Sequence, residues 1–249
     1  MAADVRVSVV GASGRLGIAI TRIAETAGVV VVGRCGRADP ISTCVGECDV
    51  VIDVSTAGAA EEICGVCVEH RKPLVIGATG HSSEQLLAIE NAAAKIPVVL
   101  APNFSVGVNA LFWLTRKAAE LLDDGFDIEI VEAHHRLKKD APSGTAKRLA
   151  ELLCAVRELD CDRDVAHGRE GIVGERPTKQ IGMHAIRAGD IVGEHTVIFA
   201  GAGERVELTH RASSRDTFAL GALRAARWVM SQPPGLYSME HVLGLDSVG

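Results

Sequence analysis

The chain has 249 residues, with 26 Lys and Arg against 32 Asp and Glu for a net charge of −6, 47% hydrophobic residues and 26 glycines. Apolar content near half with 23% charged residues excludes a disordered chain, a collagen and a coiled coil. An acidic chain with 3% aromatics has neither the field nor the stacking surface that nucleic-acid binding needs, and its length suits one large α/β domain or two modest ones.

Met1–Asp4 supplies no basic region, and Arg6 breaks the apolar run that follows, so no targeting signal is expected. The uncharged stretch 96–115 has the length of a membrane span but holds Pro97, Pro102, Asn103 and Asn109. Prolines would break a helix through its first half, so it reads as strand, turn and helix. The expectation is a cytoplasmic protein with no membrane partner.

Along the chain, runs at 5–10, 29–32, 50–54, 74–76 and 97–100 are rich in Val and Ile without polar alternation. That pattern predicts parallel strands covered on both faces. Helical periodicity predicts helices over 15–27, 57–69 and 82–94, the last opening with the capping-box pattern Ser82-x-x-Gln85. This rhythm is the doubly wound, Rossmann-like α/β architecture. After a helix over 105–122 the pattern changes. Residues 127–132 alternate strictly, as do parts of 194–199 and 205–211, which predicts a second α+β domain with a mixed or antiparallel sheet. A helix over 145–157 and a glycine-rich, charged stretch, 166–189, lie among these strands. A helix over 216–230 and a turn-rich tail with Pro233-Pro234-Gly235 close the chain. The expected domains are 1–104 for a dinucleotide, 105–214 for substrate and assembly, and 215–249 as a terminal helix and tail.

The seven cysteines are expected to be reduced, being an odd set in a chain without a secretory signal. Cys44-x3-Cys48 with Cys64-x2-Cys67 has the look of a zinc ribbon, yet a hydrophobic strand separates the pairs. Ala60, Ile63, Cys64, Cys67 and Val68 instead form one apolar stripe at helical spacing, which favours core packing and no metal.

Two segments carry chemistry. Gly11-Ala12-Ser13-Gly14-Arg15-Leu16-Gly17 follows the first strand and opens the first helix. Glycines allow a tight turn and close approach to a pyrophosphate, which the helix N-terminus attracts. The other is His134-His135-Arg136-Leu137-Lys138-Lys139-Asp140-Ala141-Pro142-Ser143-Gly144-Thr145. Residues 134–148 carry five Lys or Arg against one Asp, a net +4 in an acidic chain. Such a cluster suits a small polyanion. His134 and Lys138 are proton-transfer candidates, Lys138 if cations or burial lower its pKa. The start at Ser143-Gly144-Thr145 offers backbone N–H groups to a carboxylate.

These segments resemble the 4-hydroxy-tetrahydrodipicolinate (dihydrodipicolinate) reductase family nearly end to end. The likeness includes Gly77-Ala78-Thr79-Gly80, the stretch 102–109, the block 132–146, Arg187-Ala188-Gly189-Asp190-Ile191-Val192-Gly193-Glu194-His195 and residues 213–223. It implies reduction of a small dicarboxylate by NAD(P)H in lysine and diaminopimelate synthesis, by a homotetramer built through the second domain, with the last helix returning to the first. By the resemblance, Gly11, Ala12, Ser13, Gly14, Arg15 and Leu16 hold the pyrophosphate. Gly77, Ala78 and Thr79, with Ala101, Pro102, Asn103 and Phe104, line the nicotinamide. His134 and Lys138 are catalytic, and His135, Gly144 and Thr145 contact substrate. The chain departs from the family after its second strand, where Gly36 stands in place of the usual acid and Arg37 follows it. NADPH is therefore the favoured cofactor, with NADH accepted. A short-chain dehydrogenase is excluded, because Tyr237 lacks the lysine four residues on. Other nicotinamide enzymes and a non-catalytic dinucleotide sensor stay open, although a sensor has no use for His134 and Lys138 together.

Overall fold

In the computed structural model, which describes residues 5–247, the elements run β1 (Val5–Val10), α1 (Arg15–Ile23), β2 (Val29–Cys35), α2 (Ile41–Val45), β3 (Val50–Asp53), α3 (Ala60–Glu69), β4 (Leu74–Ile76), α4 (Ser83–Ala93) and β5 (Pro97–Leu100). They continue as α5 (Val106–Leu121), β6 (Asp127–His134), α6 (Gly144–Arg157), α7 (Cys161–Asp164), β7 (Val165–His167), β8 (Ile181–Arg187), β9 (Gly193–Gly201) and β10 (Glu204–Ala212). The last are α8 (Asp216–Val229), β11 (Gly235–Tyr237) and α9 (Met239–Leu243). Two compact units result: one runs to Val106 and resumes at Arg215, the other is Gly107–Ser214.

The first unit is a six-stranded sheet in the order β11-β5-β4-β3-β1-β2, parallel throughout. Its strands are apolar without a break because alternate residues serve opposite faces. Val7, Val9, Val50, Ile52, Val75 and Val99 meet α1, α8 and α9, whereas Val10, Val51, Leu74, Ile76 and Val98 meet α2, α3 and α4. Each such Val, Ile or Leu contributes about 1.5–3 kcal/mol on burial. β2 departs from this. Its valine run looks doubly covered in sequence, yet it is the sheet's edge, and Val30 and Val32 are exposed on alternate positions.

The second unit holds a mixed sheet in the order β10-β9-β6-β8-β7. β9 pairs antiparallel with β10 and β6, and β8 pairs parallel with β6 and β7. One buried cluster joins α5, through Val108, Leu111 and Phe112, and α6, through Leu149 and Leu153, to sheet residues such as Ile130, Ile181 and Phe199.

One expectation is corrected, and three stretches hold elements that the sequence reading did not assign. The stretch 166–189, read only as glycine-rich and charged, contains β8. Its Gly182 is a close approach: a Cβ there would meet the Glu129 carboxylate. The tail is not only turns, because β11 adds a strand beside β5 and Ser238 caps α9. The 41–45 segment, given no element in sequence, is a short helix. The cysteines are not all thiols: Cys35–Cys44 and Cys154–Cys161 are disulfides, with Cα separations of 6.2 and 5.8 Å. The folding of β2 against α2 and of α6 against α7 brings them together, which an argument from compartment does not weigh. Cys64 and Cys67 pack in the core as the stripe implied, and burial pushes the Cys64 thiol up to about 11.

Helix α1 depends on a close approach of its own. A Cβ on Gly17 would collide with the Gly11 carbonyl oxygen. Gly17→Ala should therefore lower the unfolding free energy by about 1–3 kcal/mol and weaken dinucleotide binding together with it. Denaturant titration with and without cofactor checks this, and an unchanged midpoint would show that the loop yields without cost.

Candidate active site

In the first unit, four strand ends align at the carboxyl edge of the sheet. Val54 N donates to Val10 O, Gly77 N to Asp53 O and Ala101 N to Ile76 O, at 2.9, 2.8 and 2.9 Å. This ladder brings the loops after β1, β4 and β5 to one edge, where doubly wound sheets take their ligands. Gly11 has φ +82°, and a Cβ on it would lie 2.8 Å from the Ser55 backbone, so the turn admits glycine alone. Its N–H and that of Ala12 donate to Cys35 O. Ser13, Gly14 and Arg15 are exposed, Leu16 is half-buried, and no side chain caps the first turn of α1. A glycine turn feeding an uncapped helix start fits the pyrophosphate of a dinucleotide.

The other residues expected at this edge divide in two. Thr79 and Pro102 are exposed, and Gly77 and Asn103 are half-buried. Ala78, Ala101 and Phe104 are buried, and the Phe104 ring fills the space a Gly77 side chain would need. What those three could offer a ligand is backbone. Arg34 near the end of β2 and Arg37 just after it are exposed, and the Asp39 carboxylate accepts the Gly36 N–H at 2.8 Å. Sequence reasoning passed over Asp53, which is fully buried at the end of β3 and accepts from the Ser55 N–H and hydroxyl. Burial raises its pKa.

In the second unit, β6 delivers His134 at its last residue, and the connection to α6 carries Lys138, Asp140 and Ser143. Alternate residues Ile128, Ile130, Glu132 and His134 share one face of the strand, so Glu132 is a carboxylate in the core series, with no exposed surface. It takes four donors. His134 Nδ1 lies 2.6 Å from Oε2, the two Arg187 terminal nitrogens donate at 2.9 and 2.8 Å, and Ser143 N donates at 3.0 Å. Burial works to raise the Glu132 pKa, and these bonds overcome it and hold the group below its ordinary value. Burial, with Lys138 and Arg187 nearby, sets His134 below its ordinary 6.5 despite Glu132.

Ser143 is the N-cap of α6. Its hydroxyl accepts from Ala146 N at 3.2 Å and meets His195 Nε2 at 3.0 Å. The His195 ring lies edge-on to that of His134 at 5.2 Å, and burial lowers His195 to about 4. Gly144 is exposed, and His135 and Thr145 are half-buried. Lys138 is placed differently from expectation. It rests on a carboxylate, with both Asp140 oxygens 2.9 Å from Nζ. A cavity of about 780 Å³ in this unit is lined by Pro142, Lys147 and Met183 and touches neither His134 nor Lys138.

Residues 5–104 match the profile of the dihydrodipicolinate reductase N-terminus, and residues 107–243 match that of its C-terminus. The chain belongs to the dihydrodipicolinate reductase family. A protein of Akkermansia muciniphila named 4-hydroxy-tetrahydrodipicolinate reductase is 60% identical over 181 residues, 73% of this chain and 74% of its own. One of the same name from Syntrophotalea carbinolica is 55% identical over 179 residues, 72% and 67% of the two chains. The solved structure of dipicolinate-bound dihydrodipicolinate reductase from Paenisporosarcina sp. TG-14 has a TM-score of 0.73 and 25% identity, covering 94% of this chain and 97% of that one. As a family member the chain is a pyridine-nucleotide-dependent oxidoreductase. The family's reaction is the reduction of 4-hydroxy-tetrahydrodipicolinate in lysine and diaminopimelate biosynthesis.

The site residues that sequence reasoning missed are Glu132, Arg187 and His195. Glu132 left a signal, because the alternation read over 127–132 breaks at Val131 and puts an acid on the buried face. Arg187 and His195 lie in a block that carries the family likeness, but nothing near them in sequence ties them to the site: the sheet register sets Arg187 opposite His134 and His195 opposite Glu132.

The lowered groups fix the acid sensitivity of this unit. As pH falls below 6.5 the unfolded chain protonates at His195 while the folded chain does so only near 4. Stability is therefore full above 6.5 and falls between 6.5 and 4, by up to about 3 kcal/mol. Burial tends to raise Glu129, but hydrogen bonds from Arg169, His184 and Arg176 hold it at about 2. A second loss should follow from 4.5 to 2. Denaturation midpoints across this range should show both, and His195→Gln should flatten the first.

Proposed function

We propose that the chain reduces 4-hydroxy-tetrahydrodipicolinate with NADPH, accepting NADH, and that His134 and Lys138 handle the proton. The observation that carries this reading is the β6–α6 connection. One short segment presents a histidine with a lowered pKa, a lysine ammonium and an exposed helix start at Gly144. Loss of water from the hydroxylated ring leaves a conjugated cyclic imine, and a bound nicotinamide supplies hydride to its far end. Negative charge then develops toward the ring nitrogen. Lys138, released from Asp140, donates a proton there, and His134 accepts and returns protons through Nε2; such transfers are typically worth ~10²–10⁴ in rate. His135 and the N–H groups of Gly144 and Thr145 hold a carboxylate, with the net positive charge of 134–148 adding field.

On the cofactor side, Gly11 to Leu16 hold the pyrophosphate, and Gly77 to Thr79 with Ala101 to Phe104 line the nicotinamide. Gly36 has no side chain to repel a 2′-phosphate, and Arg37 and Arg34 offer it forked donors. The Asp39 carboxylate, steered to the end of β2 by Gly36 N, is an acceptor for a ribose hydroxyl, which is why NADH also serves. The chain works in the cytoplasm as a homotetramer built through its second unit. Ile186 and Val206, exposed on that unit's sheet, support the assembly, and no helix among the described residues is long and apolar enough to cross a membrane.

Lys138→Ala and His134→Ala should each cut kcat by about 10²–10⁴ while leaving cofactor affinity within a factor of about two. Pyridine-2,6-dicarboxylate, the ligand named for the Paenisporosarcina structure, should compete with substrate, less strongly at high salt. Wild-type turnover in both variants would overturn the assignment.

Measured in one buffer, kcat/KM should favour NADPH. Arg37→Ala should lower the NADPH value about tenfold, or 1.4 kcal/mol, and spare NADH, whereas Asp39→Asn should move the ratio further toward NADPH. A tenfold preference of the unaltered protein for NADH would refute this reading of the loop.

A further inference from the structure

Two features around the His134 ring go beyond what proton transfer by that residue requires. Glu132 has no exposed surface, and both its oxygens are filled. As a carboxylate it only accepts hydrogen bonds, so the 2.6 Å contact with His134 makes Nδ1 the donor and leaves Nε2 to carry the transferable proton. At the other end of the ring, Gly193 lies where a Cβ would stand 3.1 Å from Nε2. A side chain there would crowd that nitrogen.

We propose that Glu132, gripped by the Arg187 fork, is a positioning residue that holds His134 as the Nδ1–H tautomer, and that Gly193 keeps Nε2 uncovered for proton exchange with substrate. The proposal rests on the reading of His134 as a proton-transfer group. A simple ion pair stapling β6 to β8 would need neither the contact to Nδ1 nor the glycine. The Arg187 fork matters because it spans both oxygens and so fixes the plane of the carboxylate, and with it the direction of the Nδ1 bond. Ser143 N approaches from the start of α6, which ties that plane to the helix start proposed to bind substrate. In a catalytic triad, the corresponding carboxylate-to-amide change costs about 10⁴ in turnover through the wrong tautomer.

The test uses the full chain labelled with ¹⁵N in its histidine rings. In the unaltered protein near neutral pH, His134 should show a protonated Nδ1 and a bare Nε2. Glu132→Gln should shift it toward the Nε2–H tautomer and lower kcat about 10²–10⁴-fold, with the affinities for NADPH and pyridine-2,6-dicarboxylate changed less than about twofold. Glu132→Asp should restore part of kcat. Gly193→Ala should lower kcat with the Nδ1–H tautomer retained, since it leaves Glu132 alone. If Glu132→Gln does not fold, Arg187→Lys removes the fork, keeps a cation, and should move tautomer and kcat in the same direction. Retention of the Nδ1–H tautomer without the carboxylate, or wild-type kcat despite a changed tautomer, would overturn the proposal. His134→Asn separates the two readings. Wild-type turnover in that variant would remove the role of His134 itself, while the ring spectra of the unaltered and Glu132→Gln chains would still report whether Glu132 sets the tautomer.

Discussion

A carboxylate with no access to water must find its donors inside the protein, and the second unit is arranged around that demand. Stripped of partners, buried Glu132 would cost several kcal/mol. With four donor groups it stays ionised, and they come from three residues in three stretches of chain. His134 is its neighbour on the same face of β6, Arg187 comes from β8, and Ser143 begins α6. One group thus fixes the end of a strand, the register of its neighbour and the position of a helix start. The local charges follow from it. Glu132 would draw a proton onto His134, but burial, Lys138 and Arg187 oppose that and leave the imidazole below its usual pKa.

The first unit meets a different constraint, the close approach of backbones. Its sheet is buried on both faces except at β2, so the helices pack directly onto it. Gly11 passes Ser55, Gly17 meets the Gly11 carbonyl, and Gly221 lies against the Phe104 carbonyl. At each of these places even one carbon would force the chains apart. The turn between strand and helix is tightened by the same contacts, and the Gly11 and Ala12 N–H groups close it by donating to Cys35 O. The start of α1 is left without a side-chain cap.

Charge is handled differently in the two units. Around β6 the ionised groups are buried, paired and forked, so their geometry is stiff. Along the loop after β2 and on the 136–139 segment they are largely exposed and solvated, and they act as field more than as fixed contacts. The pairing of Lys138 with exposed Asp140 stands between these regimes. A surface ion pair of this kind is weak, about 0–1 kcal/mol, so an incoming carboxylate can displace it.

Sequence by itself determined the alternation of strand and helix in the first hundred residues, because a doubly covered parallel strand and an amphipathic helix leave different periodicities. It also marked the glycine turn, the Ser82 and Ser143 caps and the cationic block, since each depends on residues within a few positions of one another. The tertiary structure decided what depends on pairing across distance. β2 lies at the edge of its sheet, β8 forms in a stretch marked only as glycine-rich and charged, and Gly182 makes room for Glu129. Cys35 meets Cys44, Lys138 meets Asp140, and Arg187 meets Glu132 fifty-five positions away. The physical reason is the same in each case. Periodicity and capping are set by neighbours in the chain, whereas strand order, register and the partners of a buried charge are set by what the fold places alongside it.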